Sequence, residues 1–155
     1  MARLLAAQEA QVPVTYGMFG LLTGAGGDPL ADEHDVAVVT PGGVGFFSAG
    51  RDHTATVRLE FWDSEPEAAP SQVETVTGIA TIVPSPAVVL VTVDTGYSRD
   101  IPTPFTGDSR VEVSCSGREE AERLTNEEHE MFYEDVERWL VRMWPDEQRL
   151  NCRTR

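Results

Sequence analysis

The sequence has no lysine. All twelve basic residues are arginine, set against 26 Asp and Glu, for a formal net charge of -14. Phosphate backbones and anionic membranes are bound by clustered cations, whereas these arginines are interleaved with acids, so neither nucleic acid nor a membrane surface is an expected partner. Arginine to the exclusion of lysine reads as the codon bias of a GC-rich source, not as a need for twelve bidentate contacts. Cysteine is scarce too. Cys115 and Cys152 are too few for a disulfide framework and lack the paired spacing of a zinc site, which points to a reducing, cytoplasmic setting. The apolar stretch before Gln8 is shorter than a secretory core and far shorter than a membrane span, so neither export nor anchoring is expected.

Catalytic motifs are also missing. Ser114 and Ser116 flank Cys115 without a Gly-x-Ser-x-Gly elbow, and Gly24, Gly26 and Gly27 are followed by no lysine, so they form no phosphate cradle. The three histidines, His34, His53 and His129, each stand beside carboxylates, but no pair has the i, i+4 spacing of a metal-binding helix. No catalytic residue, metal or cofactor is assigned.

What is present is acid, unevenly placed. Residues 119–137 hold nine acids and only Arg123 as a base. Such a block is either a solvated face or a surface shaped to occupy a basic groove, and composition alone does not choose. At 155 residues the chain is expected to be one domain, 1–155, long enough to bury a real core.

The dominant periodicity is two. In 54–62, Ala55, Val57, Leu59 and Phe61 alternate with Thr56, Arg58, Glu60 and Trp62, which requires a strand with one buried face. Val12, Val14, Tyr16 and Met18 alternate similarly, and Val36–Thr40 and Val44–Ser48 flank Pro41-Gly42-Gly43, the punctuation of a hairpin. Gln72–Val83 and Ala87–Asp94, joined across Pro84-Ser85-Pro86, are rich in Val, Ile and Thr. A shift of apolar phase predicts a bulge near Glu74 and Thr75. Arg110–Ser116 alternates again, with Cys115 as a small buried hydrophobe. Short strands, short turns and no repeats predict a mainly β fold, an antiparallel β-sandwich or partly closed barrel with little helix.

The C-terminal third gives two answers. Phe132, Val136, Trp139, Leu140 and Met143 share a helical face, yet Trp139–Trp144 also reads as a strand, and Pro145 ends either element. Parts of Glu119–Thr125 and Glu127–Asp135 are candidate helix.

The ordered segments RLEFWDSEP (58–66), VETVTG (73–78), GDSRVEVSCSGRE (107–119) and VERWLVRMWP (136–145) resemble a poorly characterised group of acidic β-sandwich proteins of GC-rich bacteria. That group is distantly similar to nuclease inhibitors of the competence protein J type. The resemblance covers the last two thirds of the chain and implies a β-sandwich and protein binding, and none of its motifs names a catalytic residue. It also favours Trp139–Trp144 as a closing strand, paired antiparallel with Val111–Cys115, with residues 119–137 as a charged excursion between them.

The expected function is a non-enzymatic, acidic protein-binding module, an inhibitor or immunity-type partner of a basic protein such as a nuclease. The candidate contact residues are Glu119, Glu120, Glu122, Glu127, Glu128 and Glu130, with Trp62 and Trp144 as aromatic anchors. Two alternatives come from other classes: a metal-dependent hydrolase using His34, His53 and nearby carboxylates, and a structural subunit whose exposed strand edges pair with copies of itself.

Overall fold

The computed structural model describes residues 1–68, 74–84, 87–94 and 96–148. Among these, ten strands and one helix follow in order: β1 (Leu4–Val14), β2 (Met18–Leu22), β3 (Ala37–Thr40), β4 (Gly43–Phe47), β5 (His53–Trp62), β6 (Thr75–Ile82), β7 (Ala87–Thr92), β8 (Ser98–Pro102), β9 (Gly107–Ser116), α1 (Arg118–Asn126) and β10 (Glu134–Pro145). The strands form two five-stranded sheets, β1-β5-β10-β9-β6 and β3-β4-β2-β7-β8, stacked as a sandwich and not closed into a barrel.

The alternation expected for β5 sets its inner face. Ala55, Val57, Leu59 and Phe61 are all buried against the opposite sheet, whose Phe19, Leu21, Val44, Phe46, Val88 and Leu90 meet them. Trp139 of β10 stands at the centre. Its ring meets Phe46 edge-on at 5.2 Å and Phe19 at 5.8 Å, and those two phenylalanines stack at 4.4 Å. Edge-to-face contact of this kind adds specific attraction to the burial of large apolar surface.

The expected hairpin around Pro41-Gly42-Gly43 forms between β3 and β4. β9 and β10 pair antiparallel with Trp139 opposite Cys115, Val141 opposite Val113 and Met143 opposite Val111. One expectation needs correction. The run Val12–Met18 is two strands, not one, because Tyr16 and Gly17 take φ of 55° and 73° and the chain passes there from one sheet to the other. The buried phase slips at that turn, from Val12 and Val14 to Phe19 and Leu21. β6 and β7, consecutive in the chain, also belong to different sheets. Within this antiparallel-rich sandwich one sheet is mixed: β10 runs antiparallel to β9 but parallel to β5. The bulge expected near Glu74 and Thr75 falls where β6 begins, next to residues 69–73, which lie outside the described residues, as does Cys152.

β10 explains its own ambiguous pattern. It is a central strand covered on both faces, with Trp139, Val141 and Met143 toward the core and Arg142 and Trp144 buried on the other side. There the loop after β5 folds over the sheet, and Arg142 donates to the Glu67 carbonyl at 2.9 Å and through Nε to Glu112 at 2.8 Å. A strand buried on both faces loses its two-residue alternation.

α1 fills the connection between β9 and β10. Gly117 starts it at φ 82°, where a Cβ would collide with the Val136 carbonyl oxygen, so this turn admits only glycine. Glu119 and Glu120 occupy the first turn, where the helix dipole favours acids. Arg118 ties the helix to the far sheet, donating to the carbonyls of Phe47 at 2.7 Å and Asp35 at 2.8 Å. Residues 127–133 are not helical; they form an irregular loop leading into β10.

Candidate interaction surface

One end of the sandwich gathers the start of β5, the end of β4, the turn between β1 and β2, the helix and the loop after it. Beneath this end lies a buried polar network. Glu137 continues the inward phase of Trp139 and is fully buried, and His53 continues the inward phase of Ala55 at 3% exposure. Because β5 and β10 are adjacent and parallel, both side chains reach Ser48 from across the core. Glu137 Oε2 accepts from Ser48 Oγ at 2.9 Å and from the Ala49 amide at 3.0 Å, while Oε1 accepts from Trp139 Nε1 at 2.8 Å.

Ser48 Oγ also lies 2.7 Å from His53 Nε2 and accepts from the Gly50 amide at 2.9 Å. A hydroxyl has one proton to give and two lone pairs to share. With the proton on Glu137 and one lone pair on Gly50, His53 donates from Nε2, which leaves its Nδ1 as an unprotonated, buried nitrogen without a hydrogen-bond partner. Burial lowers the His53 pKa below its ordinary 6.5, against the opposing pull of Glu137. Cys115 lies close enough for burial, and secondarily Glu137, to push its thiol far above the usual range.

The network is an anchor for the outer surface. His53 stacks on Tyr133 with centroids 4.7 Å apart, and a Cβ at Gly50 would strike both the Tyr133 hydroxyl and the imidazole. Tyr133 in turn donates to the Ala121 carbonyl at 3.1 Å and lies 3.0 Å from Thr125 Oγ1, which fixes the loop to α1. Backbone pairing extends the same support. The Phe132 amide donates to the Asp52 carbonyl at 2.8 Å, the Thr54 amide to the Tyr133 carbonyl at 2.9 Å, and the Gly17 amide to the Arg51 carbonyl at 2.8 Å.

On this platform the six glutamates at 119, 120, 122, 127, 128 and 130 are all exposed. Arg123 pairs with Glu120 at 2.6 Å and with Glu128 at 3.1 Å, and among the described residues Glu119, Glu122, Glu127 and Glu130 form no ion pair. Trp62 and Trp144 lie elsewhere. β5 runs from His53 to Trp62 and β10 from Glu134 to Pro145 in parallel, so both tryptophans sit at the opposite end, roughly 30 Å away along the strands. Trp62 is half-buried and donates to Glu60 at 3.2 Å, and Trp144 is 8% exposed.

Three apolar side chains also stand exposed at this end: Tyr16, Met131 and Phe132, at 59%, 57% and 75% exposure. Tyr16, His129 and Phe132 have φ of 55°, 51° and 64°. A left-handed conformation costs a side chain of this kind about 1–2 kcal/mol. The signal was visible as an apolar triplet, Met131-Phe132-Tyr133, interrupting an acidic run.

His34 and His53 do not converge. His34 is exposed beside Phe47, with ring centroids 5.8 Å apart, while His53 is in the interior. Among the described residues no three His, Cys, Asp or Glu side chains are grouped as a metal ion requires. None of their helices is long and apolar enough to cross a membrane.

No family model and no curated protein matches this sequence. Two solved structures share its fold. One, described as a crocagin biosynthetic gene J product, is 16% identical with a TM-score of 0.60, covering 91% of this chain and 97% of that one. The other, ComJ of Bacillus subtilis, described as an inhibitor of the DNA-degrading activity of NucA, is 14% identical with a TM-score of 0.62 over 94% of this chain and 99% of that one. At these identities the likeness is one of architecture: this chain has the β-sandwich fold of ComJ.

Proposed function

We propose that the chain is a non-enzymatic protein-binding module that engages a basic protein through the carboxylates of α1 and the loop after it, and that it acts as an inhibitor or immunity-type partner of a nuclease. The observation that carries this reading is the row of exposed glutamates, four of them without an ion-pair partner among the described residues, on a platform braced by a buried network. An enzyme that cleaves nucleic acid presents a cationic cleft to phosphates, and a fixed set of carboxylates is complementary to the same cleft. The fold shared with ComJ, itself an inhibitor of DNA degradation, supports the nuclease class.

The buried polar groups do not argue for chemistry. In a nucleophilic triad the imidazole stands between hydroxyl and carboxylate, whereas here Ser48 stands between His53 and Glu137. Its proton is committed to the carboxylate, and its lone pairs are filled by two donors.

The test is a panel of purified basic nucleases, NucA among them, beside basic proteins of matched isoelectric point that do not act on nucleic acid. The reading requires that DNA degradation by at least one nuclease be lost in a saturable, roughly equimolar manner. It also requires Glu127→Gln, Glu128→Gln and Glu130→Gln together to weaken that inhibition. Equal, non-saturating association with every basic protein, and no loss of degradation, would overturn it.

A further inference from the structure

The exposed apolar triplet is not accounted for by the fold. Phe132 and Tyr16 bury little surface, and at positive φ a glycine or asparagine suits the backbone better than either ring. Yet the backbone is held at both. The Phe132 amide is bonded to the Asp52 carbonyl, the Tyr16 amide lies 3.4 Å from Asp52 Oδ1, and Tyr133, adjacent to Phe132, is locked on His53. A main chain fixed in advance loses little conformational freedom on docking, which suits side chains that serve as interface anchors.

Two hollows open at this end, one beside Tyr16 and one beside Met131, the neighbour of Phe132. One of about 370 Å³ has Tyr16, Glu33 and Asp35 in its wall, and the other, of about 510 Å³, has Asp52, Glu130 and Met131. They adjoin, sharing Arg51, Thr125 and Asn126, so a single cation faces four carboxylates across the pair. Cationic side chains match such hollows in charge. An anionic lipid surface does not, since it would meet the same carboxylates and a net charge of -14.

We infer that this end of the sandwich grips its partner by inserting Tyr16 and Phe132 into an apolar recess of the partner protein while arginine or lysine side chains bordering that recess enter the two hollows. The inference rests on the binding-module reading and adds to it an anchor at Tyr16 and Phe132 and a required chemistry for the partner: basic residues flanking an apolar pocket, not positive charge alone.

The probes are two amidated twelve-residue peptides, one alternating arginine with leucine and one alternating arginine with serine, titrated into the isotopically labelled full chain and followed by amide chemical shifts. The arginine–leucine peptide is expected to move Tyr16, Asp52, Met131 and Phe132 and to bind at least tenfold more tightly. Phe132→Gly, with Phe132→Asn as a second variant that the same backbone tolerates, is expected to remove that tenfold advantage. It should leave the arginine–serine peptide unchanged and should not lower the urea midpoint, since glycine relieves the left-handed strain at this position. Equal affinity for the two peptides, shifts confined to α1 or to the Trp62 end, or an inert Phe132→Gly would overturn the inference. If Glu127→Gln, Glu128→Gln and Glu130→Gln together weaken both peptides while Phe132→Gly is inert, the anchor fails and the charge-based reading stands. If they change nothing while Phe132→Gly acts, the charge-based reading fails and the anchor stands. Phe132-dependent binding to phosphatidylcholine vesicles, without peptide, would also overturn the inference.

Discussion

Replacing Glu137 by glutamine tests whether the buried network braces the surface. The substitution keeps the shape and removes one acceptor. With the amide oxygen placed where Oε2 accepts from Ser48 and Ala49, the new NH2 faces the indole N–H of Trp139, a donor against a donor. Losing one hydrogen bond to a charged group costs roughly 2 kcal/mol, and turning two charge-assisted bonds into neutral ones costs about 1 kcal/mol each. Burying an amide instead of a carboxylate returns part of this. The net expectation is a loss of about 3 kcal/mol, equivalent to a fall in Tm of about 6–12 °C for a chain of this size. Urea unfolding followed by tryptophan fluorescence measures it. The indole N–H resonance of Trp139 should move, and amide exchange at Tyr133 and Phe132 should accelerate, because their supports His53 and Ser48 belong to the same network. Unchanged or increased stability in Glu137→Gln would show that the desolvation cost of the carboxylate outweighs its hydrogen bonds, and would refute the bracing role.

Other perturbations separate the same physics. His53 is held below its ordinary pKa of 6.5, so the folded state prefers the neutral ring: its contribution to stability is complete above 6.5 and declines as the pH falls below it. Urea midpoints between pH 8 and 5.5 should show that decline, and His53→Gln should flatten it; a midpoint rising toward pH 5.5 would contradict the sign. In a Cys152→Ser chain, Cys115 should react with a thiol reagent at pH 8 about a hundredfold more slowly than an exposed cysteine, since burial raises its pKa. Labelling at the rate of a free thiol would be inconsistent with its packing. Trp139→Ala removes the ring that Phe19 and Phe46 pack against and should cost about 3–5 kcal/mol in denaturant unfolding. A cost below about 1 kcal/mol would mean that the core is centred elsewhere.

The parts of this fold that the sequence made legible are those with one dry face and one wet face. β5 alternates without interruption because its inner side chains meet the opposite sheet and its outer ones, Thr56 excepted, are only partly covered, and the hairpin of β3 and β4 carries its own turn residues. β8 left no mark because Ile101 alone among its five residues is buried. The exposed half of β1 lacks an alternating pattern for the same reason. β10 was ambiguous because the loop carrying Glu67 covers its second face, and its parallel partnership with β5 depends on contacts remote in sequence. The site was half legible. The acidic block from Glu119 to Glu130 stands out in composition, but the tryptophans, which composition marks as anchors, are not beside it: Trp139 is in the core, and Trp62 and Trp144 lie at the far end. Extending the inward phase of β10 back by two residues from Trp139 would have reached Glu137, and the same step in β5 reaches His53. Neither Tyr16 nor Phe132 could be found by periodicity, since each sits at a turn where the phase is lost.

The central claim is that exposed carboxylates on a braced β-frame serve recognition of a cationic protein. The most direct measurement is the association rate with a nuclease whose activity the chain suppresses, recorded between about 0.02 and 0.5 M salt, for the native chain and for Glu127→Gln, Glu128→Gln and Glu130→Gln together. Charge-steered recognition requires a fall of more than tenfold across that range for the native chain and a shallower slope for the triple variant. A rate that is independent of salt, with the same slope in both proteins, would contradict it.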